Sequence, residues 1–453
     1  MQTQDTIVAI ASGAGKAGIG IVRLSGPDAF NIARAVAGTL PEPRQAQLRW
    51  LRDADGARLD RGLVICFVAP RSLTGEDVVE LQGHGGPVIL DLVRSSCIAA
   101  GARAARPGEF SERAFLNDKM DLAQAEGIAD LINSQTERAA RAALRSMRGD
   151  FSAAVHALVE QLIRLRMYVE AAIDFPEEEI DFLDDAGLQH QIDAVITAFD
   201  NLQAKTRAGR ALADGLNVVL MGAPNVGKSS IMNALSGDAT AIVTDIPGTT
   251  RDLIREPIDL DGVPVQLTDT AGLRDATDVI EREGIKRSQQ ALQNADHALL
   301  LVQADDDDAA ASASALIEKV PHGATMTVIV NKTDLTDAAK TNALLAQIPA
   351  HSLCVSALTG DGIDELRQRL MAVAGIVDGE TEGSFSARRR HVGLLQQARA
   401  HVDAGIHQLR QHKAGELLAE ELRLAQQPLT QITGTFSSDD LLGRIFGEFC
   451  IGK

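Results

Sequence analysis

Apolar residues near the start of the chain fall into short runs, separated by longer stretches with a different spacing. The run Ile7–Ile10 is typical, and between such runs apolar residues recur every three or four positions. Short runs favour buried strands, and the wider spacing favours helices. Residues from Thr6 to about Arg106 are therefore predicted to form one mixed α/β domain, with Asp55-Gly56 as a hairpin turn. The predicted strands are Ile7–Ile10, Ile19–Leu24, Leu63–Val68 and Val78–Leu81, and the predicted helices are Ala29–Val36 and Val88–Ala100.

The pattern changes after this region. From Ser111 to Leu212 helical spacing dominates, and it returns from Ala387 to the end of the chain. Between these stretches, strand-like and helix-like patterns alternate again. Because the ends of a domain often lie close together, the simplest interpretation is one helical domain interrupted by an inserted α/β domain. Residues 379–386 are poor in apolar side chains and are the predicted exit linker.

The chain is expected to be multidomain, because 453 residues exceed what a single core supports. The predicted fold class combines α/β and all-α domains. The predicted parts are an N-terminal α/β domain over 1–118, a discontinuous helical domain over 119–214 and 377–453, and an inserted P-loop G domain of Ras-like α/β fold over 215–376.

Charge and aromatic content limit the partners that the chain can bind. The 62 Asp and Glu residues outnumber the 44 Lys and Arg residues, which gives a net charge of −18. Such a chain gains little from non-specific attraction to phosphate backbones, so any contact with nucleic acid must be local. Aromatic residues at 3% are too few for a base-stacking platform.

Cysteine spacing and the N-terminal sequence bear on the compartment. The four cysteines are scattered without a C-x-x-C pair, which argues against a disulfide framework or a zinc site and fits reduced thiols. The N-terminus lacks the basic and apolar segments of a signal peptide, and no run of about 18 apolar residues occurs. We therefore expect a cytoplasmic protein that does not span a membrane.

A phosphate-binding loop is predicted near the middle of the chain. Residues 222–229 fit the pattern G-x-x-x-x-G-K-S/T, between the apolar strand Val218–Met221 and the helical stretch Ile231–Leu235. In this context backbone N–H groups surround phosphates at a helix N-terminus. Lys228 is then expected to neutralise the β and γ phosphates, and the Ser229 hydroxyl to bind Mg²⁺.

Three further motifs follow in the order expected of a GTP site. Asp269-Thr270-Ala271-Gly272 follows a strand and offers a carboxylate that can hold Mg²⁺ through water and a glycine N–H for the γ-phosphate. In 331–334, Asp334 can accept hydrogen bonds from guanine N1–H and its 2-amino group, neither of which adenine offers. Ser356-Ala357 can supply a backbone N–H to guanine O6.

The predicted nucleotide-binding residues come from these motifs and from the loop 244–252. They are Asn225, Val226, Gly227, Lys228, Ser229, Ser230, Thr244, Asp245, Ile246, Pro247, Gly248, Thr249, Thr250, Asp269, Thr270, Ala271, Gly272, Asn331, Lys332, Asp334, Ser356 and Ala357.

Residues at two places in the sequence limit the possible mechanisms of GTP hydrolysis. Leu273 stands where Ras-type GTPases carry the glutamine that positions the attacking water, so another residue must act. The loop 274–283 supplies several polar residues as candidates for orienting this water. A solvated acidic loop with no catalytic role would have the same composition. Thr250 is the predicted second Mg²⁺ ligand. An oxygen cage suited to K⁺ is predicted from Asn225 together with Thr244, Ile246 and Thr249.

Four segments together resemble the tRNA-modification GTPase MnmE (TrmE) family over essentially the whole chain. They are Thr74 to Gly86, Arg113 to Lys119, Thr244 to Asp252 and the terminal Phe449-Cys450-Ile451-Gly452-Lys453. The resemblance implies an N-terminal domain like tetrahydrofolate-binding domains, which dimerises and binds formyl-tetrahydrofolate. By motif match it implies folate contacts from Arg23, Glu80, Lys119 and Lys453, and it selects Glu281 as the water-orienting residue. A second carboxylate, Glu283, lies two residues further on and is an alternative that could share this role.

The resemblance also implies partners and a reaction. The partners are a second copy of the chain, an FAD-dependent flavoprotein in a heterotetramer, and tRNA. The reaction places an aminomethyl or carboxymethylaminomethyl group on carbon 5 of the wobble uridine, with Mg²⁺ and K⁺ at the GTP site.

Several alternatives stay open on the sequence. The flanking domains suit a regulatory or ribosome-associated GTP switch, or a scaffold without a small-molecule site. Glu80 and Lys119 suit a surface ion pair, the commoner fate of such residues. Cys450 is either a reactive thiol or a buried structural one. A row of arginines on one predicted helix face is either a phosphate contact or a solvated basic face, and its members are Arg138, Arg141, Arg145 and Arg148.

Overall fold

The computed structural model describes residues 5–174, 186–237, 258–269, 292–293, 295–321, 324–376, 384–434, 439–447, 449 and 452. The chain separates into two compact units, one made of Met1–Ala129 with Leu429–Lys453 and the other of Asp130–Pro428. The division into domains at residues 118, 214 and 376 stays a prediction.

Strands and helices alternate in the first and middle parts of the chain, and helices occupy the rest. In chain order they are β1 Ile7–Ile10, β2 Ala17–Ser25, α1 Ala29–Ala37, β3 Gln47–Arg52, β4 Arg58–Phe67, β5 Val78–Gly85, α2 Pro87–Ala99, β6 Arg103–Ala104, α3 Glu109–Leu116, α4 Leu122–Asn133, α5 Glu137–Arg148, α6 Asp150–Asp174, α7 Ala186–Asp214, β7 Leu216–Gly222, α8 Lys228–Ser236, β8 Ile258–Leu260, β9 Val263–Asp269, β10 His297–Gln303, α9 Ala309–Ile317, β11 Thr325–Asn331, α10 Ala338–Leu345, β12 Ser352–Cys354, α11 Ile363–Val373, α12 Arg389–His412, α13 Gly415–Thr433 and α14 Asp439–Gly447. None of the described helices is both long and apolar enough to cross a bilayer.

The first unit is built on a six-stranded sheet in the order β3-β4-β5-β2-β1-β6. Neighbouring strands are antiparallel except β1 and β6. Helices α1 and α2 bury one face of the sheet, where Leu24 and Leu81 pack with Ile32 and Val93. This confirms the predicted mixed α/β class and its strands, and it adds β3, which the apolar runs did not reveal.

A second, smaller core in this unit involves the end of the chain. Phe446 of α14 is buried with Leu122 of α4, and its ring lies 6.2 Å from that of Phe115. Gly108 has a left-handed φ of 66°, and a Cβ there would lie 2.3 Å from the Phe446 carbonyl oxygen. A glycine is therefore needed where α3 begins against α14.

The second unit contains a sheet in the order β12-β11-β10-β7-β9-β8, parallel except for β8 with β9. Its strands are apolar on both faces. Val218 and Leu220 face α8 and α11, whereas Val219 faces the side covered by α9 and α10. Burial on both faces is typical of a parallel sheet between two helical layers, and the predicted G-domain fold is confirmed.

The helical part of the second unit consists of α5, α6, α7, α12 and most of α13. Thr136 caps α5 by accepting a hydrogen bond from the N–H of Ala139, and Gly149 ends the helix with a φ of 93°. The Phe151 ring at the start of α6 stacks on Phe385 with a centroid distance of 4.4 Å. These capped, packed helices confirm the predicted helical class on both sides of the inserted sheet.

Candidate nucleotide and folate sites

The phosphate loop joins β7 to α8. Gly227 lies directly before α8 with a φ of 98°, and Asn225 is also left-handed with a φ of 63°. At Gly227 a Cβ would lie 2.2 Å from the side-chain nitrogen of Asn331, so this position requires glycine. Val226 between them is buried and anchors the loop in the core below the sheet edge.

The Lys228 ammonium is held over this loop. Its Nζ donates to the carbonyl oxygens of Gly222 at 3.0 Å and Ala223 at 2.9 Å, and the side chain is largely buried. Ser229 and Ser230 follow in the first turn of α8, with exposed side chains. A buried cation beside exposed hydroxyls at a helix N-terminus is an arrangement that can hold phosphates and a hard metal ion.

Asp269 is the last residue of β9, and it pairs in register with Leu220 of β7. Since β7 and β9 are parallel neighbours, the carboxylate lies at the same carboxyl edge of the sheet as the phosphate loop. The structure therefore brings Asp269 to the edge where α8 begins with Lys228 and Ser229.

Asn331 connects the phosphate loop to the predicted base loops. The side chain is 1% exposed, and its Nδ2 donates to the Val226 carbonyl at 2.8 Å. Its Oδ1 accepts from the N–H of Ala357 at 3.3 Å. One buried amide thus contacts two other predicted nucleotide-binding segments.

The carboxylate predicted to read the base is fixed by a neighbouring hydroxyl. Ser356 Oγ donates to Asp334 Oδ1 at 2.6 Å. Lys332 has a left-handed φ of 62°, and its Nζ donates to the side-chain oxygen of Gln303 at 2.8 Å. Sequence reasoning missed Gln303, although its position at the carboxyl end of β10, between the β7 and β11 ends, is a signal for such a role.

Part of the predicted GTP site lies outside the described residues. This applies to Thr244, Asp245, Ile246, Pro247, Gly248, Thr249, Thr250, Thr270, Ala271, Gly272 and Glu281, and also to Lys453 and Cys450.

Two of the predicted folate residues meet on the first sheet. Arg23 of β2 and Glu80 of β5 are cross-strand partners, and Arg23 Nη2 lies 2.9 Å from Glu80 Oε1. The other carboxylate oxygen accepts from Gln82 Nε2 at 3.1 Å. Arg23 Nη1 also donates to the Gly452 carbonyl at 3.5 Å, so Gly452 lies beside this pair.

Lys119 has different neighbours. Its Nζ donates to the Pro70 carbonyl at 2.9 Å, and its stem lies against Gly75. Glu80 therefore forms an ion pair with Arg23 and not with Lys119. A surface ion pair was the alternative that the sequence left open for Glu80 and Lys119.

The two family-like segments of the first unit are joined by a buried ion network. Arg113, 2% exposed, contacts Glu76 at 3.2 Å and Glu109 at 3.1 Å. Burial would raise the pKa of the Glu109 carboxyl, but hydrogen bonds from Arg103, from the N–H of Arg106 and from Arg113 outweigh it and lower this pKa. Glu76 and Arg113, one residue from each segment, therefore belong to the same ion network.

Two family models match the chain, one described as "MnmE helical domain" over residues 122–450 and one as "GTP-binding protein TrmE N-terminus" over residues 6–119. Relatives named tRNA modification GTPase MnmE, from Yersinia pestis bv. Antiqua (strain Angola) and Yersinia pseudotuberculosis serotype IB (strain PB1/+), are each 53% identical over 458 residues. The match covers 100% of this chain and 100% of each relative. Among solved structures, the FeoB G-domain of Methanococcus jannaschii is 24% identical with a TM-score of 0.24, over 35% of this chain and 96% of that one. The chain belongs to the MnmE (TrmE) family of tRNA modification GTPases.

Proposed function

We propose that the protein hydrolyses GTP and, with an FAD-dependent flavoprotein partner, modifies carbon 5 of the wobble uridine in tRNA. Formyl-tetrahydrofolate is the one-carbon source, and the product group is aminomethyl or carboxymethylaminomethyl. The protein acts as a cytoplasmic homodimer, in a heterotetramer with its partner. Full-length similarity to relatives named tRNA modification GTPase MnmE supports the reaction. The observation that best supports a GTP site is that the Asn331 side-chain amide contacts both the phosphate loop and the Ser356-Ala357 loop.

The residues at the sheet edge fit phosphates and Mg²⁺. The Ser229 and Thr250 hydroxyls are proposed as direct ligands of Mg²⁺, and the Asp269 carboxylate at the end of the neighbouring strand β9 is proposed to hold the ion through water. The buried Lys228 ammonium neutralises the β and γ phosphates. Mg²⁺ when bound offsets the negative charge that develops on the phosphate oxygens.

Base selection is proposed to rest on Asp334. The hydroxyl of Ser356 donates to one of its oxygens at 2.6 Å, which fixes the plane of the carboxylate before GTP arrives. Guanine then supplies two donors to the carboxylate, whereas adenine would leave it unpaired and desolvated.

Replacing the base-reading carboxylate should change nucleotide choice. Asp334→Asn exchanges a two-acceptor group for an amide with one acceptor and one donor, and should weaken GTP binding by at least about 2 kcal/mol. Xanthosine triphosphate carries a carbonyl in place of the 2-amino group, so the variant should bind it better than the wild type does. Equilibrium titration of both nucleotides measures the effect, and Asp364→Asn, an exposed change on α11, serves as the control. Unchanged GTP affinity in Asp334→Asn would show that another residue reads the base.

Water activation is proposed to come from Glu281, because Leu273 has no polar atom with which to orient a water. Glu281 accepts a hydrogen bond from the attacking water, directly or through a second water, once pairing of two G domains orders its loop. The Asn225 amide oxygen and the carbonyls of residues 244, 246 and 249 are proposed to hold K⁺. This ion when bound supplies the positive charge that an arginine finger provides elsewhere.

Loss of the water-orienting carboxylate should reduce turnover but not binding. Glu281→Ala should lower kcat by at least about 100-fold with nearly intact GTP affinity, as expected for a group that acts in the transition state. Single-turnover hydrolysis measures this, with Glu283→Ala as the matched control.

Wild-type turnover should be faster in K⁺ than in Na⁺, because Na⁺ is too small for the same cage. Equal rates for Glu281→Ala and wild type would remove Glu281 from the mechanism, and equal rates in the two salts would remove the cation.

A folate site is proposed around Glu80 on the first sheet. Its carboxylate suits the amino and N–H donors of a pterin, and the hydrogen bonds from Arg23 and Gln82 hold it in place. Since Arg23 is paired with Glu80, the positive charge for the folate glutamate tail falls mainly to Lys119 and Lys453. The position of Gly452 beside Arg23 supports a role for Lys453, which follows it directly.

Neutralising Glu80 should weaken folate binding specifically. Glu80→Gln removes a charged acceptor and should lower the affinity for formyl-tetrahydrofolate by at least about tenfold. Calorimetric titration of the full chain measures this, with GTP titration as a folding check. Glu42→Gln, an exposed carboxylate of the same unit, is the control. Equal folate affinity in the two variants would argue against a site at Glu80, and no folate binding by the wild type would favour a scaffold.

A further inference from the structure

A cavity of about 270 Å³ lies beside α5, outside the proposed nucleotide and folate sites. Among the described residues, three arginines line it, Arg138, Arg141 and Arg145, together with a single carboxylate, Glu137. Its floor includes Ala142 of α5 and Leu212 of α7, both 2% exposed. A concentration of positive charge around an apolar floor is unusual in a chain whose net charge is −18, and it is suited to an anion.

Two of these arginines are held in position by neighbouring backbone. Arg145 Nη1 donates to the Ser384 carbonyl at 3.0 Å. The stem of Arg138 crosses Gly262 in the β8–β9 turn, where a Cβ would lie 2.4 Å from Arg138 Cδ. Holding these long side chains in advance lowers the entropy lost when they bind a ligand.

The third arginine has a partner that an anion can replace. Arg141 Nη2 lies 2.5 Å from Glu137 Oε1, and the two side chains are 72% and 77% exposed. An exposed pair four residues apart on a helix contributes little stability, because water and salt screen it. A bound phosphate can therefore take the place of Glu137 at small cost.

We propose that this cavity binds a phosphodiester of the RNA backbone. The inference rests on the proposed action on tRNA. The volume of about 270 Å³ is below the roughly 300–1,000 Å³ typical of small-molecule sites, which favours a phosphate with its ribose over a whole free nucleotide. The guanidinium groups contact the phosphate oxygens, and the sugar lies over Ala142 and Leu212.

The test compares two charge-removing changes on the same helix. The triple change Arg138→Gln, Arg141→Gln and Arg145→Gln should weaken tRNA binding by at least about tenfold and flatten the log–log salt dependence by at least about 1. Arg148→Gln removes one arginine that is exposed on α5 outside the cavity, and should change both quantities much less. Fluorescence anisotropy of labelled tRNA with the full chain gives both readouts.

A single-site variant and a phosphate titration distinguish the proposed RNA site from a folding defect and from a free-anion site. Arg141→Gln alone removes only an exposed ion pair, so it should fold normally and still weaken tRNA binding more than Arg148→Gln does. Inorganic phosphate is titrated separately to distinguish a free-anion site. If the cavity variants and Arg148→Gln bind tRNA equally well, or only phosphate binding is lost, the proposal is overturned. If the wild type does not bind tRNA at all, the proposed tRNA function fails with it.

Discussion

The geometry of the proposed nucleotide site depends on one buried amide. Asn331 donates to the Val226 carbonyl and accepts from the Ala357 N–H, so its two ends hold the phosphate loop and the last base loop at fixed separation. Gly227 must lack a Cβ because the Asn331 nitrogen fills that space. Because a buried polar group without a partner costs free energy, both hydrogen bonds are expected to persist as the site opens and closes around GTP.

Polar contacts connect the helical part of the second unit to its six-stranded sheet, at the end of the sheet opposite the proposed nucleotide site. Arg210 of α7 pairs with Asp296 at 2.9 Å, and Asp296 also accepts from the N–H of Asn217 at the start of β7. A further contact joins the Thr136 hydroxyl to the Gly262 carbonyl at 2.7 Å in the β8–β9 turn. Specific polar contacts therefore link the sheet to α7 and to α5, and α5 carries the proposed RNA cavity.

Much of the fold was predictable from the sequence, because the period of apolar residues reflects burial directly. Strands β7 and β9 of the second sheet followed from apolar runs that end in polar motifs, whereas β8 and β10 were not predicted. Strand β3 was missed because Gln47 to Arg52 alternates charged and apolar residues on an edge strand, where no long apolar run is needed. The role of Arg113 was not predictable, since its partners are distant in sequence, and Gln303 was missed because β10 was not predicted as a strand. An ion pair was one of the roles that the sequence suggested for Glu80, but its partner Arg23 was identified only from the register of β2 with β5.

The central claim is that Asn331 aligns the phosphate and base loops into one site, and the affinity for inorganic triphosphate tests it most directly. Triphosphate has no base, so it should contact the phosphate loop alone. In Asn331→Ala the Val226 carbonyl loses its buried donor, and the account predicts that triphosphate binding falls by at least about tenfold, together with GTP binding. If Asn331→Ala weakens GTP binding but leaves triphosphate binding at the wild-type level, Asn331 acts only at the base and the central claim is contradicted.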